Sequence, residues 1–180
     1  PFLGWRGIRF TLDRPEVFIP QLRAMLRANV GLNNLRIMFP MISQVEEIKA
    51  ARQALERAQR ELSEKGQQCV MPPVGAMVAV PSAVFVLSAL ARYVEFFSVG
   101  TNDLTQYLLA VDRNNPNVAS LYESVDPALL RALCVIVREA RRRGKSVSVC
   151  GEMAADPAAA ILLLGAGVKT FSMNASALPR

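Results

Sequence analysis

The chain has 180 residues, of which 52% are hydrophobic and 20% are charged, and this composition fits one globular domain with a sizeable core. No apolar run approaches the ~18 residues that a membrane-spanning helix needs, so we expect no association with a membrane. The formal net charge is +6, and the absence of histidine from these 180 residues excludes a histidine base, a histidine metal ligand and a phosphohistidine from them.

Strand and helix patterns alternate along the chain. Prolines in a first turn, a Ser-x-x-Glu capping box from Ser43 to Glu46, and closing glycines mark the helices. In chain order we predict a helix at 20–29, a strand at 35–40, a helix at 43–64, a strand at 73–80, a helix at 81–91, a strand at 94–100, helices at 104–110 and 127–143, a strand at 145–151, a helix at 156–164, a strand at 168–173 and the start of a helix at 175–178.

The five predicted strands are largely apolar, which indicates burial on both faces and a parallel sheet within an α/β fold. An open doubly wound sheet and a βα barrel both fit this order. No G-x-G-x-x-G motif follows an early strand, and polar residues collect after the carboxyl ends of several strands, which together favour the barrel. A full barrel takes roughly 250 residues. We therefore interpret residues 1–180 as a single domain, a partial (β/α)8 TIM barrel whose opening strands are missing.

Two unpaired sheet edges are expected in such a barrel, so we expect the isolated chain to associate or aggregate. The first ten residues, PFLGWRGIRF, have no initiator methionine and no signal-peptide order, and we interpret them as a cut end. The densest basic run, REARRRGK at 138–145, has no interleaved aromatic residues. We interpret this run as the solvated end of a helix, where cations suit the helix dipole, and expect no nucleic-acid partner.

Polar residues follow the strand that ends at Gly100. Asp103 is suited to ligate a hard cation such as Mg²⁺, and Asn102 offers an amide to an oxyanion. Arg113, ten residues further on, offers a fork of donors that matches phosphate or carboxylate. The alternative is that Asn102 and Asp103 merely cap a helix that begins at Leu104, and the spacing alone does not decide between the two.

A second candidate for a catalytic residue is a cysteine at the end of another strand. Cys150 lies at the tip of a strand and is followed by Glu152, where a barrel keeps catalytic groups. Its thiol could be a nucleophile or an acid that delivers a proton to carbon, and the lack of a histidine partner favours proton transfer. We interpret Cys69 and Cys134 as small buried hydrophobes. Three cysteines at irregular spacing fit neither a disulfide framework nor a zinc site, which indicates a reducing cytoplasm.

Arginines complete the predicted site. Arg6 lies beside Trp5 in a loop before the first predicted helix and is a candidate for binding an anion. Arg36 precedes a strand, so it should face the opposite end of the barrel, and we assign it to structure. Several arginines, one carboxylate and no visible base suggest a phosphorylated carboxylic acid that is bound mainly by charge.

Six segments carry a resemblance to a known family: PFLGWRGIRF, LRIMFPMIS, GAMVAVPSAV, FFSVGTNDLTQYLLAVDRNN, VSVCGEMAADP and FSMNASALPR. In order and spacing the chain resembles, over essentially its whole length, the C-terminal barrel of the phosphoenolpyruvate-protein phosphotransferases, the Enzyme I family of the bacterial phosphotransferase system. Some segments also occur in pyruvate phosphate dikinases. VSVCGEMA is more similar to the nitrogen-type branch.

The resemblance implies a role for each candidate. Arg6 and Arg113 would bind the phosphate of phosphoenolpyruvate (PEP), and Asn102 and Asp103 would belong to the same pocket. Asp103 would also be one of two acidic Mg²⁺ ligands. Cys150 would be the acid that protonates the methylene carbon as enolpyruvate becomes pyruvate. The resemblance also implies a cytoplasmic, homodimeric enzyme of sugar transport that passes phosphate to a histidine on its N-terminal domain and then to a histidine phosphocarrier protein.

The chain departs from the family pattern in two ways. Ala79 stands where the family has its second metal-binding glutamate, so we expect weakened Mg²⁺ binding and little catalysis. The N-terminal phosphohistidine domain and the opening strands of the barrel, with their substrate-binding residues, are absent. Two further interpretations stay open: a catalytically impaired module for binding or dimerisation, and a piece of a pyruvate phosphate dikinase or PEP synthase.

Overall fold

A computed structural model describes residues 3–178. Within them, strands alternate with helices as the sequence predicts. The strands are β1 (Ile37–Phe39), β2 (Val74–Val78), β3 (Phe96–Gly100), β4 (Ser146–Cys150) and β5 (Thr170–Ser172). The helices are α1 (Ile8–Asp13), α2 (Pro15–Ala28), α3 (Val45–Ser63), α4 (Pro81–Phe85), α5 (Leu87–Leu90), α6 (Thr101–Leu109), α7 (Pro127–Arg142) and α8 (Pro157–Gly165). Short 3₁₀ turns occupy Ala119–Leu121, Glu152–Ala155 and Ala175–Ala177.

The order of the strands decides between the two candidate architectures. All neighbouring strands pair in parallel, and their order in the sheet, β1 to β5, is their order in the chain. A doubly wound sheet reverses its strand order at a switch point, whereas a barrel adds each strand beside the preceding one. The fold is therefore a partial TIM barrel, as predicted. Within residues 3–178, β1 and β5 are the two edges of the sheet.

The two faces of the sheet differ in composition. One face carries Ala76, Val78, Val99 and Val149, which are fully buried with the helices in one core. On the other face, which lines the inside of the partial barrel, side chains become polar and exposed toward β4 and β5, and Thr170 is exposed. The prediction that the strands are buried on both faces is right for β2 and β3 and wrong for β4 and β5, whose inner residues are mainly serine and threonine.

Several helix boundaries differ from the predicted ones. The six-residue helix α1 was not predicted, because it is too short to show a clear apolar period. The helix predicted at 20–29 begins at Pro15 instead, and Pro20 lies inside it. Proline at the first helical position needs no partner for its nitrogen, so Pro15 is the favoured start. The predicted helix 104–110 begins three residues earlier, at Thr101, directly after β3.

The start of α3 also differs in detail. The predicted box from Ser43 to Glu46 is wrong by one residue, since Gln44 and Glu47 form the capping box. Ser43 still contributes, because its backbone amide donates a 2.6 Å hydrogen bond to the Glu47 carboxylate. The remaining predicted elements match within a few residues, although the helix predicted at 81–91 is split into α4 and α5 around Val86.

The basic run, Arg36 and the hydropathy of the helices can also be compared with the predictions. The basic run ends α7, and Arg141 and Arg142 lie in its last turn, as predicted. Arg36 stacks on the ring of Phe96, with its guanidinium carbon 4.1 Å from the ring centroid, at the amino end of β3. It therefore lies at the amino end of the sheet, opposite the candidate site. None of the helices within residues 3–178 combines the length and the apolar composition that crossing a bilayer requires.

Candidate functional site

The candidate site begins with a row of residues at the carboxyl ends of the strands. Gly100 at the end of β3 pairs in register with Cys150 at the end of β4, and Cys150 pairs with Ser172 at the end of β5. Ala79 follows β2, and its Cβ lies 3.3 Å from the position that a Cβ on Gly100 would occupy. The ends of four adjacent strands therefore contribute to one edge on the inside of the partial barrel.

Helix α6 leaves this edge without a linker. Its first residue is Thr101 and its N-cap is Gly100, with no side-chain hydrogen bond at the cap. Asn102 and Asp103 therefore lie inside the first turn, and the interpretation of them as caps of a helix starting at Leu104 is wrong. Their side chains are left to make contacts elsewhere at the edge.

Asn102 contacts the loop that follows β4. Its Oδ1 accepts a hydrogen bond from the backbone N–H of Glu152 at 3.2 Å. Beside it, the Thr101 hydroxyl donates to the carbonyl of Cys150 at 3.0 Å. Gly151 makes this close approach possible, because a Cβ there would lie 2.5 Å from the Thr101 hydroxyl and 2.9 Å from Asn102 Oδ1. Its φ of 115° and ψ of 178° belong to a backbone region that is essentially restricted to glycine.

Asp103 forms an ion pair with Arg6, 97 residues earlier. Arg6 Nη1 donates to Oδ1 at 3.0 Å and Nη2 donates to Oδ2 at 2.8 Å, so both carboxylate oxygens are engaged. The pair is partly buried, with 40% of the Arg6 side chain and 18% of the Asp103 side chain exposed. Hydrogen bonding to Asp103 raises the pKa of Arg6, which stays charged. Burial first, and then the Asp103 charge, raises the pKa of nearby Tyr107.

The loop that carries Arg6 is fixed to the end of β1. The backbone N–H of Ile8 donates to the carbonyl of Pro40 at 3.3 Å. Gly7 has a positive φ of 59°, and a Cβ there would lie 2.9 Å from the Met41 side chain. The fold therefore holds Arg6 over the end of β1 and Asp103 over the end of β3.

The chain turns sharply at the C-terminus of α6, and this turn brings Arg113 back toward the site. Ala110, the C-cap, adopts a left-handed conformation with φ 55°. The buried side chain of Gln106 then accepts a hydrogen bond from the backbone N–H of Arg113 at 3.0 Å. Arg113 Nη1 donates to Glu152 at 3.0 Å, and this ion pair is open to solvent because 77% of the Glu152 side chain is exposed. A ligand can therefore compete for Arg113 at low cost.

The thiol of Cys150 lies on the inside of the partial barrel in a polar setting. It is within hydrogen-bond distance of the carbonyl of Val99, at 3.4 Å from the sulfur. The buried hydroxyl of Ser98 donates to the same sulfur at 3.6 Å. Half-buried and hydrogen-bonded on the protein side, the thiol is held at the edge where a substrate can meet it.

An open cavity of about 630 Å³ lies at the carboxyl ends of β3, β4 and β5. It is lined at one side by Asn102, Cys150 and Glu152, and at the other by residues at the end of β5, including Ser172 and Asn174. The polar part of its lining consists of a thiol, two amides, two carboxylates and a hydroxyl, which suits a small polar ligand.

The structure thus gathers the predicted site residues into two neighbouring groups. Asn102 and Cys150 line the cavity, and Arg113 reaches its wall through Glu152. Arg6 and Asp103 contact each other beside the cavity and do not line it. Ser98 and Asn174 were not predicted as site residues. Asn174 follows the end of the last strand, so the rule that located Cys150 would also have indicated it.

The described residues do not fit an intact magnesium site. Mg²⁺ is usually held by one or two carboxylates together with water and substrate phosphates. Ala79 offers no ligand and is fully buried, and both oxygens of Asp103 already accept hydrogen bonds from Arg6. Within residues 3–178, no three His, Cys, Asp or Glu side chains are grouped so that they could hold a metal ion.

Comparison with known proteins identifies relatives over the whole chain. Residues 1–180 match the family described as "PEP-utilising enzyme, PEP-binding domain". The "Phosphoenolpyruvate-dependent phosphotransferase system" protein of Escherichia coli K12 is 53% identical over 100% of this chain and 24% of its own length. The "Phosphoenolpyruvate-protein phosphotransferase" of Haemophilus influenzae is 46% identical, covering 100% and 31%, and that of Bacillus subtilis is 45% identical, covering 99% and 31%. The chain spans about a quarter to a third of these curated relatives.

Solved structures with low sequence identity share the fold. A citrate lyase from Burkholderia xenovorans superposes with a TM-score of 0.66 at 23% identity, over 90% of this chain and 52% of its own. An HpcH/HpaI aldolase/citrate lyase family protein from Burkholderia cenocepacia gives a TM-score of 0.60 at 18% identity, over 90% and 63%. At these identities the likeness supports the fold alone.

Proposed function

Because the chain belongs to the family of PEP-binding domains of PEP-utilising enzymes, we propose that it is the PEP-binding part of a protein phosphotransferase. The observation that carries the proposal is the meeting of Cys150, Asn102, Glu152 and Arg113 at the carboxyl edge of a partial barrel, in a cavity suited to a small polar ligand. Barrel enzymes place their active sites at this edge.

The ligand is held mainly by charge and hydrogen bonds. Arg113 binds the phosphate by exchanging its exposed partner Glu152 for a phosphate oxygen, and Arg6 contributes its remaining donors from the adjacent strand end. A guanidinium has five N–H donors, and Arg6 uses two of them on Asp103. Asn102 supplies an amide to the same ligand.

The reaction divides into phosphoryl transfer and protonation. The bond between phosphorus and the enol oxygen of PEP breaks, a bond from phosphorus to a histidine nitrogen forms, and the electron pair stays on the enolate. The enolate then takes a proton at its methylene carbon from the Cys150 thiol, giving pyruvate and a thiolate. Ser98 donates a hydrogen bond to the sulfur that becomes negative. Since the chain has no histidine, the acceptor lies outside these 180 residues.

Other properties of the predicted enzyme remain predictions. They are an N-terminal phosphohistidine domain, transfer to a histidine phosphocarrier protein, a nitrogen-type branch, a role in sugar transport, a cytoplasmic location and a homodimer formed through the barrel. The Mg²⁺ site is predicted to be weakened, since Asp103 is its one remaining carboxylate, and no step above uses the metal. The names of the relatives favour a phosphotransferase over a dikinase.

The proposal is tested in the full-length protein with PEP as the phosphoryl donor. We expect Cys150→Ala to bind PEP normally and to form pyruvate at least tenfold more slowly, since general acid catalysis contributes about 10²- to 10⁴-fold. Cys134→Ala is the matched control and should keep the wild-type rate, because Cys134 is exposed on α7. The prediction that Cys134 is buried is wrong. Pyruvate formation at the full rate by Cys150→Ala would exclude the thiol as the acid.

A further inference from the structure

The ion pair formed by Arg6 and Asp103 affects how a cation could bind at Asp103. Its two hydrogen bonds, of 3.0 and 2.8 Å, occupy one acceptor position on each carboxylate oxygen. Hydrogen bonds between charged partners in this paired geometry are among the stronger ones in proteins. A cation that binds Asp103 must therefore displace or share a partner that the fold already supplies.

The position of the pair in the fold makes this partner a fixed one. Arg6 is held over the end of β1, and Asp103 lies in the first turn after β3. Strand β2 lies between β1 and β3, and Ala79 follows its last residue. The ion pair thus connects the strand ends on both sides of Ala79, where the family has a second carboxylate.

The charges at this edge are balanced without a metal ion. Asp103 carries one negative charge and Arg6 one positive charge, and the two charges sum to zero. Arg6 has three N–H donors beyond those it gives to Asp103, and the Tyr107 side chain lies within hydrogen-bond reach of the same guanidinium. Arg6 can therefore contact Asp103 and a phosphate oxygen at once, with rigid donors that match phosphate geometry.

We infer that Arg6 supplies the positive charge between Asp103 and the substrate phosphate, so that this chain binds PEP without Mg²⁺. This inference rests on the proposed function. Where the family has a metal-binding glutamate this chain has Ala79, and the ion pair of Arg6 with Asp103 then takes the place of the metal ion. The ligand class is unchanged, but the divalent cation is no longer required for binding.

The first test is calorimetric titration of the full-length protein with PEP, once in EDTA and once in excess MgCl₂. We expect the same Kd in both. Binding that tightens tenfold or more with Mg²⁺, a difference of about 1.4 kcal/mol, would overturn the inference and leave the proposed function standing. No binding under either condition would contradict the proposed function and this inference with it.

The second test measures the metal alone, with Mn²⁺ as a paramagnetic probe of the same site. We expect Ala79→Glu to bind Mn²⁺ in the absence of PEP, because it restores a second carboxylate, and the wild type to bind none there. Ala79→Gln is the matched control, since it adds the same volume without the charge at this fully buried position. Mn²⁺ bound equally by the wild type and by Ala79→Glu would contradict the inference. If Ala79→Glu does not fold, the wild-type titrations still decide.

Discussion

The hydroxyl of Ser98 on β3 lies 3.6 Å from the thiol of Cys150 on β4, and both side chains lie on the inside of the partial barrel. Ser98 is 5% exposed, so its hydroxyl has little access to water and is held against the sulfur. The hydroxyl is placed to donate a hydrogen bond to the sulfur once the thiol has given up its proton. The pair therefore links a buried strand residue to the group that we propose as the acid.

Replacing Ser98 with alanine should change the reactivity of Cys150. Without the hydroxyl, the Cys150 thiolate loses a hydrogen bond with a net value of about 1 kcal/mol, so its alkylation by iodoacetamide at neutral pH should slow roughly fivefold. Mass spectrometry of the alkylated peptides measures the rate at each cysteine separately.

Ser148 provides the matched control for this variant. It lies on the same face of β4, but its hydroxyl contacts the carbonyl of Phe97 at 3.4 Å rather than the thiol. Ser148→Ala should leave the alkylation of Cys150 unchanged, and Cys134 should react at the same rate in all three proteins. Equal slowing at Cys150 by both serine variants would show that the effect is not specific to Ser98.

Substituting Gly151 should destabilise the site more than substituting another glycine with positive φ. In Gly151→Ala, the added Cβ meets Thr101 and Asn102, and the backbone strain alone costs about 1–3 kcal/mol. We expect the urea midpoint of unfolding to fall and Asn102 to lose its contact with Glu152.

Gly144→Ala is the control that separates the cost of backbone strain from the cost of steric overlap. Gly144 has a φ of +66° and no atom within 4 Å of its added Cβ, so Gly144→Ala should cost only about 1 kcal/mol of strain. Urea unfolding of the two variants side by side measures the difference. Equal losses of stability would mean that the contact with Thr101 and Asn102 is unimportant.

The strand order and the carboxyl-edge position of Asn102 and Cys150 were predictable, because apolar runs, glycines and the polar residues after them are local signals. The start of α6 was not, because Asn and Asp are common at N-caps and the sequence does not reveal that Gly100 takes that position. The exposure of the inner face of β4 was not predicted, although the alternating serines of this strand indicated it.

Contacts between distant residues were the least predictable part of the site. Arg6 and Asp103 are 97 positions apart, and Arg113 and Glu152 are 39 apart. Nothing in their local sequence says that each arginine pairs with a carboxylate. The family resemblance placed these residues in one pocket but gave no indication that Asp103 would be held by Arg6 where a metal ion was expected.

A pH dependence of stability is expected at the ion-pair network between α2 and α3. The Glu61 carboxylate accepts hydrogen bonds from Arg57 at 2.9 Å and Arg23 at 2.6 Å. The hydrogen bond from Arg57, followed by that from Arg23, lowers the pKa of Glu61. A lowered folded pKa stabilises the protein above the unfolded value of about 4.3, and this contribution is lost as the pH falls through the lower folded value.

Glu61→Gln should therefore melt at a lower temperature than the wild type at neutral pH, and this difference should shrink as the pH falls below about 4.3 toward the lowered folded pKa of Glu61. Glu64→Gln, at the C-cap of α3, is the control, since no ion pair involves Glu64 within residues 3–178. A difference in melting temperature between Glu61→Gln and the wild type that does not change with pH would show that the charge of Glu61 is not the source of the stabilisation.

The binding of PEP at the carboxyl edge is tested most directly by calorimetric titration of the full-length protein and two arginine variants with PEP. Arg113→Gln should bind PEP about tenfold to a hundredfold more weakly, because a hydrogen bond to a charged group is worth about 1.5–3 kcal/mol. Arg138→Gln, on α7 and paired with Glu139, should bind like the wild type. Equal affinity in Arg113→Gln and the wild type, or no binding of PEP to any of the three, would contradict the proposed site.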